Sequence, residues 1–171
     1  MIQNTIASIT VGTLVFASGA IAISAPSQTS LSSDRLLVAQ SSTINITALE
    51  ASVFKQINDY RASKNLPLLT RNSAINNQAK IHSQNMASGA VSFGHSGFSQ
   101  RIKATRLNYI AAAENVAYNQ GFSDPATKAV EGWLKSSEHL VNIKGNYNVT
   151  GIGVASNSRG EIYFTQIFQK L

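Results

Sequence analysis

The fold class is decided by the C-terminal stretch, which reads VTGIGVA (149–155), SNSRG (156–160) and EIYFTQIF (161–168). Two runs rich in β-branched and aromatic residues flank a polar loop that ends in glycine, and this pattern predicts a β-hairpin. The segments before the hairpin are mostly helical in pattern. Helices followed by a terminal hairpin are typical of an α+β domain with an antiparallel sheet.

Start and stop signals predict the helices that precede the hairpin. The segment TALE (47–50) fits a capping box, in which a threonine N-cap is followed three residues later by glutamate. A second helix is predicted from Asn72 or Ser73 to Gly89, and a third begins at the cap Ser123-Asp124-Pro125. Between these two helices, a short helix is predicted over 99–107 and a strand over 109–118.

The first 46 residues are predicted to lie outside this domain. Residues 6–23 are apolar and uncharged, and Ala20 and Ala22 form a pattern typical of signal-peptide cleavage. No Lys or Arg precedes them, so an uncleaved anchor is the alternative. The sequence therefore divides into a signal peptide or anchor (1–25), a Ser- and Gln-rich polar linker (26–46) and a domain (47–171) that is secreted, extracellular or held in the cell envelope.

Composition narrows the classes of function. The chain has no cysteine, which excludes a thiol nucleophile, a cysteine zinc site, an iron–sulfur cluster and a disulfide framework. The net charge is +6, but the basic residues are scattered and are not interleaved with aromatic residues. Nucleic-acid binding is therefore not expected. Weak attraction to anionic envelope or phospholipid surfaces is compatible with this charge.

The three histidines are the first candidates for chemistry, and each also has an ordinary structural interpretation. His82 lies on the apolar face of the second helix and is interpreted as a core-edge histidine with one hydrogen bond. His95 lies in FGHSG (93–97), a loop flanked by glycines, and loops on a rigid scaffold often carry function. His139 follows the third predicted helix, where a helix C-terminus would favour its charged form.

Glu114 is the most unusual acidic residue, because it lies in the apolar extended run AAAENVA (111–117). A carboxylate buried in such a run needs charged or hydrogen-bonding partners to offset its desolvation. The alternative is that strand alternation places the side chain on an exposed face. The sequence leaves both interpretations open.

Several motifs in order support a family resemblance. They are NDYR (58–61) with LPL (66–68), FGH (93–95), AENV (113–116), WLKSSEHLVNI (133–143) and the closing hairpin. Together they resemble the CAP superfamily of cysteine-rich secretory, antigen 5 and pathogenesis-related proteins (SCP-like), in a bacterial cysteine-free form. Ala113 replaces a glycine of the family pattern, and Ser137 and Leu140 replace a proline and an arginine.

The resemblance implies a three-layer α–β–α sandwich with a small antiparallel sheet. It also implies an open cleft in which His95, Glu114 and His139 converge. Some relatives bind a divalent metal there, so the resemblance implies Zn²⁺ or another divalent cation held by these three residues. The second acidic residue of larger relatives is not evident, because Ser136 stands where they tend to have glutamate.

Three functions stay open at this point. The favoured one is an extracellular module that binds a small ligand, a lipid or an envelope component, with or without metal. A peptidase- or esterase-like hydrolase would use metal-activated water, or a histidine base oriented by Glu114, but no nucleophile is evident. The third is a structural envelope protein without a ligand, in which His95, Glu114 and His139 form a buried polar network.

Overall fold

The computed structural model of the protein describes residues 44–171. The predicted signal peptide or anchor (1–25) and almost all of the predicted linker (26–46) lie outside the described residues. Among the residues described, no helix combines the length and the apolar character needed to cross a bilayer. The elements in chain order are α1 (Ile46–Ser63), β1 (Thr70–Arg71), α2 (Ser73–Ser88), α3 (Phe98–Ala104), β2 (Ala111–Gln120), α4 (Pro125–Lys135), α5 (Ser137–Lys144), β3 (Val149–Ser156) and β4 (Glu161–Lys170).

The sheet has the order β1-β3-β4-β2, with the hairpin strands β3 and β4 paired antiparallel from Val149↔Gln169 to Ser156↔Ile162. β2 is also antiparallel to β4, and it forms one end of the sheet. The predicted hairpin and antiparallel sheet are therefore confirmed for three strands. β1 is parallel to β3 and was not predicted, because two residues are too short to show strand alternation.

Helices cover both faces of the sheet, which confirms the three-layer sandwich. α2 and α3 pack on one face, and α2 approaches β3 so closely that a Cβ added at Gly151 or Gly153 would collide with the α2 main chain. On the other face, α1, α4 and α5 enclose the larger apolar core, whose largest side chains are Trp133, Phe164 and Phe168. The two glycines thus fix the separation of α2 from the sheet.

The helix boundaries mostly follow the predicted caps. Asn72 caps α2, Gly89 ends it with φ of 77°, and Asp124 caps α4 through a bond from the Thr127 amide. The predicted cap of α1 is wrong. Asn45, not Thr47, accepts the hydrogen bond from the Ala48 amide at 3.0 Å, so the helix begins at Ile46. The capping-box pattern with Glu50 favoured Thr47, but Asn is the stronger N-cap of the two residue types.

Arg61 joins α1 to the chain after α5. Its guanidinium is buried and donates to the carbonyl oxygens of Ile143 (2.7 Å), Gly145 (3.0 Å) and Pro67 (2.8 Å). Burial lowers the pKa of Arg61. Because three carbonyls converge on one charged group, these bonds hold the C-terminal end of α5 firmly against the core. α5 carries His139, so Arg61 helps to position that histidine.

Candidate functional site

Glu114 is buried on β2, on the face of the sheet that α2 and α3 cover. Its side chain is only 2% exposed, so the alternative of an exposed strand glutamate is wrong. The neighbouring residues explain the burial, since Ala113 and Val116 pack into the apolar clusters on opposite faces of β2. A carboxylate in this place needs partners, as the sequence analysis argued.

Arg101 of α3 is the main partner of Glu114. Its Nε donates to Oε2 at 2.9 Å and its Nη2 donates to Oε1 at 2.7 Å, which is the bidentate geometry of a strong ion pair. Nη1 also donates to the carbonyl oxygen of Ser96 at 2.6 Å. No local pattern marks Arg101 as a site residue, because a basic residue in a short helix does not indicate that a buried carboxylate lies opposite it.

His95 contacts the same carboxylate from the loop before α3. Its Nδ1 lies 3.0 Å from Glu114 Oε1, and its side chain is 51% exposed. An ionised carboxylate accepts hydrogen bonds, so this contact assigns the proton to Nδ1 and leaves Nε2 as the acceptor. Nε2 has no hydrogen-bond partner within residues 44–171. The structure thus brings two of the three predicted site residues together.

His82 of α2 is the fourth member of this cluster, beside Glu114, Arg101 and His95. It is buried on α2, its Nε2 lies 2.8 Å from the carbonyl oxygen of Gly94, and the same nitrogen lies 4.0 Å from Glu114 Oε1. The prediction of a core-edge histidine with one hydrogen bond is therefore confirmed. Burial lowers the pKa of His82; the Gly94 bond opposes that shift and the Arg101 charge adds to it. The neutral ring donates to Gly94 and helps to hold the loop that carries His95.

His139 follows the end of α4 at Lys135, as predicted, and it lies in the first turn of α5. Burial lowers the pKa of His139, and the nearby His95 lowers it further, whereas Glu138 raises it. Among the described residues His139 forms no ion pair with Glu114. Its Nδ1 is buried and has no hydrogen-bond partner in the described part of the chain.

Two asparagines tie α5 to β2 and so fix the place of His139. Asn115 Nδ2 donates to the carbonyl oxygen of His139 at 3.2 Å, and Asn142 Nδ2 donates to Asn115 Oδ1 at 2.9 Å and to the Glu114 carbonyl oxygen at 3.3 Å. The connection between His139 and Glu114 therefore runs through main-chain groups. Asn115 and Asn142 both stand in motifs that the sequence shows, AENV and WLKSSEHLVNI.

The geometry bears on the divalent-metal site that the resemblance implied for His95, Glu114 and His139. No group of three His, Cys, Asp or Glu side chains within 44–171 is disposed to hold a metal ion. The physical reason is that Arg101 occupies both oxygens of Glu114, and its positive charge disfavours a cation beside them. Metal binding by His95, Glu114 and His139 stays a prediction. Of these three side chains, only the two imidazoles have a nitrogen without a hydrogen-bond partner among the described residues, Nε2 of His95 and Nδ1 of His139.

An apolar groove of about 530 Å³ lies beside this cluster, along the outer side of β2. We call it the β2 groove. His139 and Lys128 lie at its margin, and the Trp133 Nε1 donates to the Val116 carbonyl oxygen at 3.0 Å. Its apolar lining includes Phe93, Val116, Tyr118, Phe122, Ala129 and Trp133. No local sequence pattern predicts the groove, because these residues come from separate segments of the chain.

Comparison with known proteins agrees with this architecture. The sequence profile of the CAP family, described as the cysteine-rich secretory protein family, matches residues 54–168. No curated protein matches the chain. Among solved structures, an extracellular protein containing an SCP domain from Bacillus anthracis has a TM-score of 0.62 at 24% identity and covers 74% of this chain and 41% of its own.

Two further bacterial structures share the fold. A cysteine-rich secretory protein from Staphylococcus aureus has a TM-score of 0.62 at 22% identity and covers 75% of this chain and 40% of its own. An outer surface protein from Borrelia burgdorferi has a TM-score of 0.63 at 17% identity, covering 72% of this chain and 92% of its own. The chain spans about two fifths of the length of the first two relatives.

The profile match spans more than half of the chain, and the structural likeness independently shows the same fold. The predicted resemblance is therefore confirmed. The chain belongs to the CAP family of cysteine-rich secretory proteins.

Proposed function

We propose that the chain is an extracellular binding module that takes an apolar ligand, or the apolar part of a larger ligand, into the β2 groove. The extracellular location is supported by the names of two structural relatives, an extracellular protein and an outer surface protein. It is also supported by the predicted export segment at residues 1–25. Neither observation identifies the ligand, which has to be inferred from the groove itself.

The observation that carries the proposal is a set of exposed aromatic rings around a concave apolar surface. Phe93, Tyr118 and Phe122 are 50%, 54% and 48% exposed, and all three line the β2 groove. Concave sites lined by aromatic side chains with few polar groups are typical of ligand binding. Covering each of these rings would contribute up to about 1.5–3 kcal/mol of hydrophobic stabilisation to a complex.

The charged cluster of Glu114, Arg101, His95 and His82 stabilises one wall of the groove. Phe93 packs edge-to-face on Tyr118, with ring centroids 5.2 Å apart. The next residues of its loop are held by His82 through Gly94 and by Arg101 through Ser96. Since Glu114 pairs with Arg101, the buried carboxylate stabilises the loop that presents Phe93. We therefore assign the cluster a positioning role.

A variant that fills the groove tests the proposal without disturbing the core. Gly132 faces the groove from α4, and a Cβ added there meets no atom within 4 Å. Gly132→Leu should block the groove, and leucine is a better helix former than glycine by roughly 1 kcal/mol. We expect wild-type protein to bind anilinonaphthalene sulfonate in equilibrium dialysis, and Gly132→Leu to lose about tenfold in affinity.

The matched control is Gly132→Ala, which gains similar helix propensity but leaves the groove open. It should bind the probe as the wild type does. If Gly132→Leu also binds like the wild type, or if wild-type protein does not bind the probe at all, the groove is not the binding site.

Zinc binding by the two imidazoles is a second proposal, and it is supported by the unpartnered Nδ1 of His139 together with the free Nε2 of His95. Calorimetry with Zn²⁺ should show heat in the wild type that is lost in His95→Ala and in His139→Ala. Glu114→Gln should keep the heat, because Arg101 already occupies that carboxylate. Absence of heat in the wild type would remove the proposal.

A hydrolase in which Glu114 orients His95 as general base is the weaker alternative. Within residues 44–171, no Ser, Thr or Tyr hydroxyl is hydrogen-bonded to the ring of His95 or His139. A screen of peptidase and esterase substrates would test it, with Glu114→Gln as the control. Activity that survives this substitution would not belong to the His95–Glu114 pair.

A further inference from the structure

We propose that the ligand of the β2 groove is an extended polypeptide segment, which adds to β2 as a fifth strand of the sheet and carries a carboxylate that meets Lys128. This inference rests on the proposed function, because it names the chemical class of the ligand that the groove would bind.

β2 offers an end of the sheet to which a strand can be added. It is ten residues long, it pairs with β4 on one side, and no strand of the described chain pairs with its other side. Exposed edges of this kind are templates for another strand, and proteins that do not use them usually shorten or cover them. Four consecutive residues of β2, from Val116 to Asn119, line the groove.

The direction of the main-chain groups is fixed by two side-chain hydrogen bonds. The carbonyl oxygen of Glu114 accepts from Asn142 Nδ2 at 3.3 Å, and that of Val116 accepts from Trp133 Nε1 at 3.0 Å. These carbonyls therefore point away from β4. Main-chain groups of every second residue in an antiparallel strand point to the same side, so the N–H and C=O of Tyr118 also point outward.

Tyr118 is the position at which this edge is open. Beyond the ladder of the sheet, its N–H and C=O have no hydrogen-bond partner among residues 44–171. A purely apolar ligand such as an acyl chain would cover these groups without satisfying them, which costs about 1–3 kcal/mol for each group left unpaired. A second main chain satisfies both groups at once, and this favours a polypeptide as the ligand.

The walls of the groove suit the side chains of an added strand. Successive side chains of a strand point to opposite faces, so alternate residues of the ligand would meet opposite walls. One wall is formed by the rings of Phe93 and Tyr118, and the other by Ala129, Gly132 and Trp133 of α4. A groove bounded on both sides admits a single extended segment more readily than the edge of a second folded domain.

Lys128 supplies the charge preference. Its Nζ lies 4.8 Å from the centroid of the Phe122 ring at the margin of the groove, and it forms no ion pair among the described residues. A side-chain or terminal carboxylate of the ligand would therefore meet an ammonium group that has no ion-pair partner among the described residues, although Asp124 and Glu131 lie near it. The net charge of +6 would add to the attraction of an acidic segment.

Two substitutions of Tyr118 distinguish a hydrogen bond to its main chain from a contact with its side chain. Tyr118→Ala removes the ring and keeps the N–H, whereas Tyr118→Pro removes both; proline is tolerated where the N–H of an edge strand points outward. A library of random heptapeptides displayed on phage is selected on wild-type protein, and the dissociation constants of the selected peptides are measured by fluorescence anisotropy. Anilinonaphthalene sulfonate, an anion whose apolar rings would occupy the groove and which has no peptide groups, is measured alongside and is the apolar probe of this test.

We expect selection of peptides with alternating apolar residues and an acidic residue. Their affinity should fall about threefold in Tyr118→Ala and at least about tenfold further in Tyr118→Pro, the loss expected for one hydrogen bond whose partner is left unsatisfied. The apolar probe should bind Tyr118→Ala and Tyr118→Pro with the same affinity as each other. In the wild type, bound peptide should slow exchange of the Tyr118 amide proton, a readout that does not depend on whether the proline variant folds. Lys128→Gln should weaken the acidic peptides at low salt.

Two results would overturn strand addition and leave the groove standing. In the first, folded Tyr118→Ala and Tyr118→Pro bind the peptides with equal affinity, and bound peptide does not slow exchange of the Tyr118 amide proton in the wild type. In the second, the library yields no peptide although the apolar probe still binds. If the wild type binds neither peptide nor probe, the proposed function fails together with this inference.

Discussion

At the scale of single residues, the central feature is a buried carboxylate with a dedicated cation. Glu114 is held by two hydrogen bonds from Arg101 and one from His95, while His82 lies 4.0 Å away. Burying an unpaired carboxylate would cost several kcal/mol, so Arg101 is needed for this strand to fold as it does. The pair also holds the loop that carries Phe93.

Removing one member of the pair should be worse than removing both. We expect Arg101→Met to lower the free energy of unfolding by about 3–5 kcal/mol, because it leaves the Glu114 carboxylate buried without its main partner. The double variant Arg101→Met/Glu114→Met should be more stable than Arg101→Met. Urea denaturation measures both. A double variant that is as destabilised as Arg101→Met, or more so, would argue against a coupled pair.

The buried histidines should make stability depend on pH. Burial lowers the pKa of His82 and of His139 below the ordinary value of 6.5, so the unfolded chain binds more protons than the native protein in mildly acidic solution. Their contribution to stability is therefore present above about pH 6.5 and is lost as the pH falls towards the lowered values.

Thermal unfolding between about pH 7 and pH 5 checks this sign. We expect the melting temperature to fall with pH in the wild type and to fall less in His82→Gln, whose amide can still donate to Gly94. His139→Asn is a second variant that should flatten the slope. Arg101, Glu114 and His95 face His82 and stay in place in both variants. A melting temperature that rises on acidification would contradict the assignment of neutral rings.

At the scale of elements, the sequence predicted what depends on local signals. The caps Asn72 and Asp124, the C-terminal Gly89 and the hairpin follow from residues within a few positions of each boundary. The convergence of His95 with Glu114 was implied only by the family resemblance, since the residues are far apart along the chain. Arg101 and the β2 groove depend on how α3 and α4 pack against β2, and no local pattern records that.

The sequence pattern predicted Thr47 as the N-cap of α1, whereas the structure has Asn45 in that role. Asn45→Ala should lower the free energy of unfolding by about 1 kcal/mol, because it removes the hydrogen bond to the Ala48 amide. Thr47→Ala should change it by less than about 0.5 kcal/mol, since Thr47 is an exposed residue inside the helix. Chemical denaturation measures the free energy of unfolding of both variants. A larger loss in Thr47→Ala than in Asn45→Ala would show that Thr47 is the N-cap.

At the scale of the whole molecule, the groove lies where the two helical layers meet the end of the sheet. α4 belongs to one layer, and Phe93 lies on the loop between α2 and α3, which belong to the other. β2 is the end strand between them. Three exposed aromatic rings, Phe93, Tyr118 and Phe122, therefore meet at one end of the sheet, and the proposed binding site depends on the fold rather than on one motif.

The most direct measurement uses the only tryptophan in the sequence, Trp133, which is buried and lines the β2 groove. Its emission overlaps the absorption of anilinonaphthalene sulfonate, so a probe bound in the groove should quench Trp133 by energy transfer. We expect saturable quenching in wild-type protein and in Gly132→Ala, and its loss in Gly132→Leu. Quenching that persists unchanged in folded Gly132→Leu, or probe binding without any quenching of Trp133, would contradict the account.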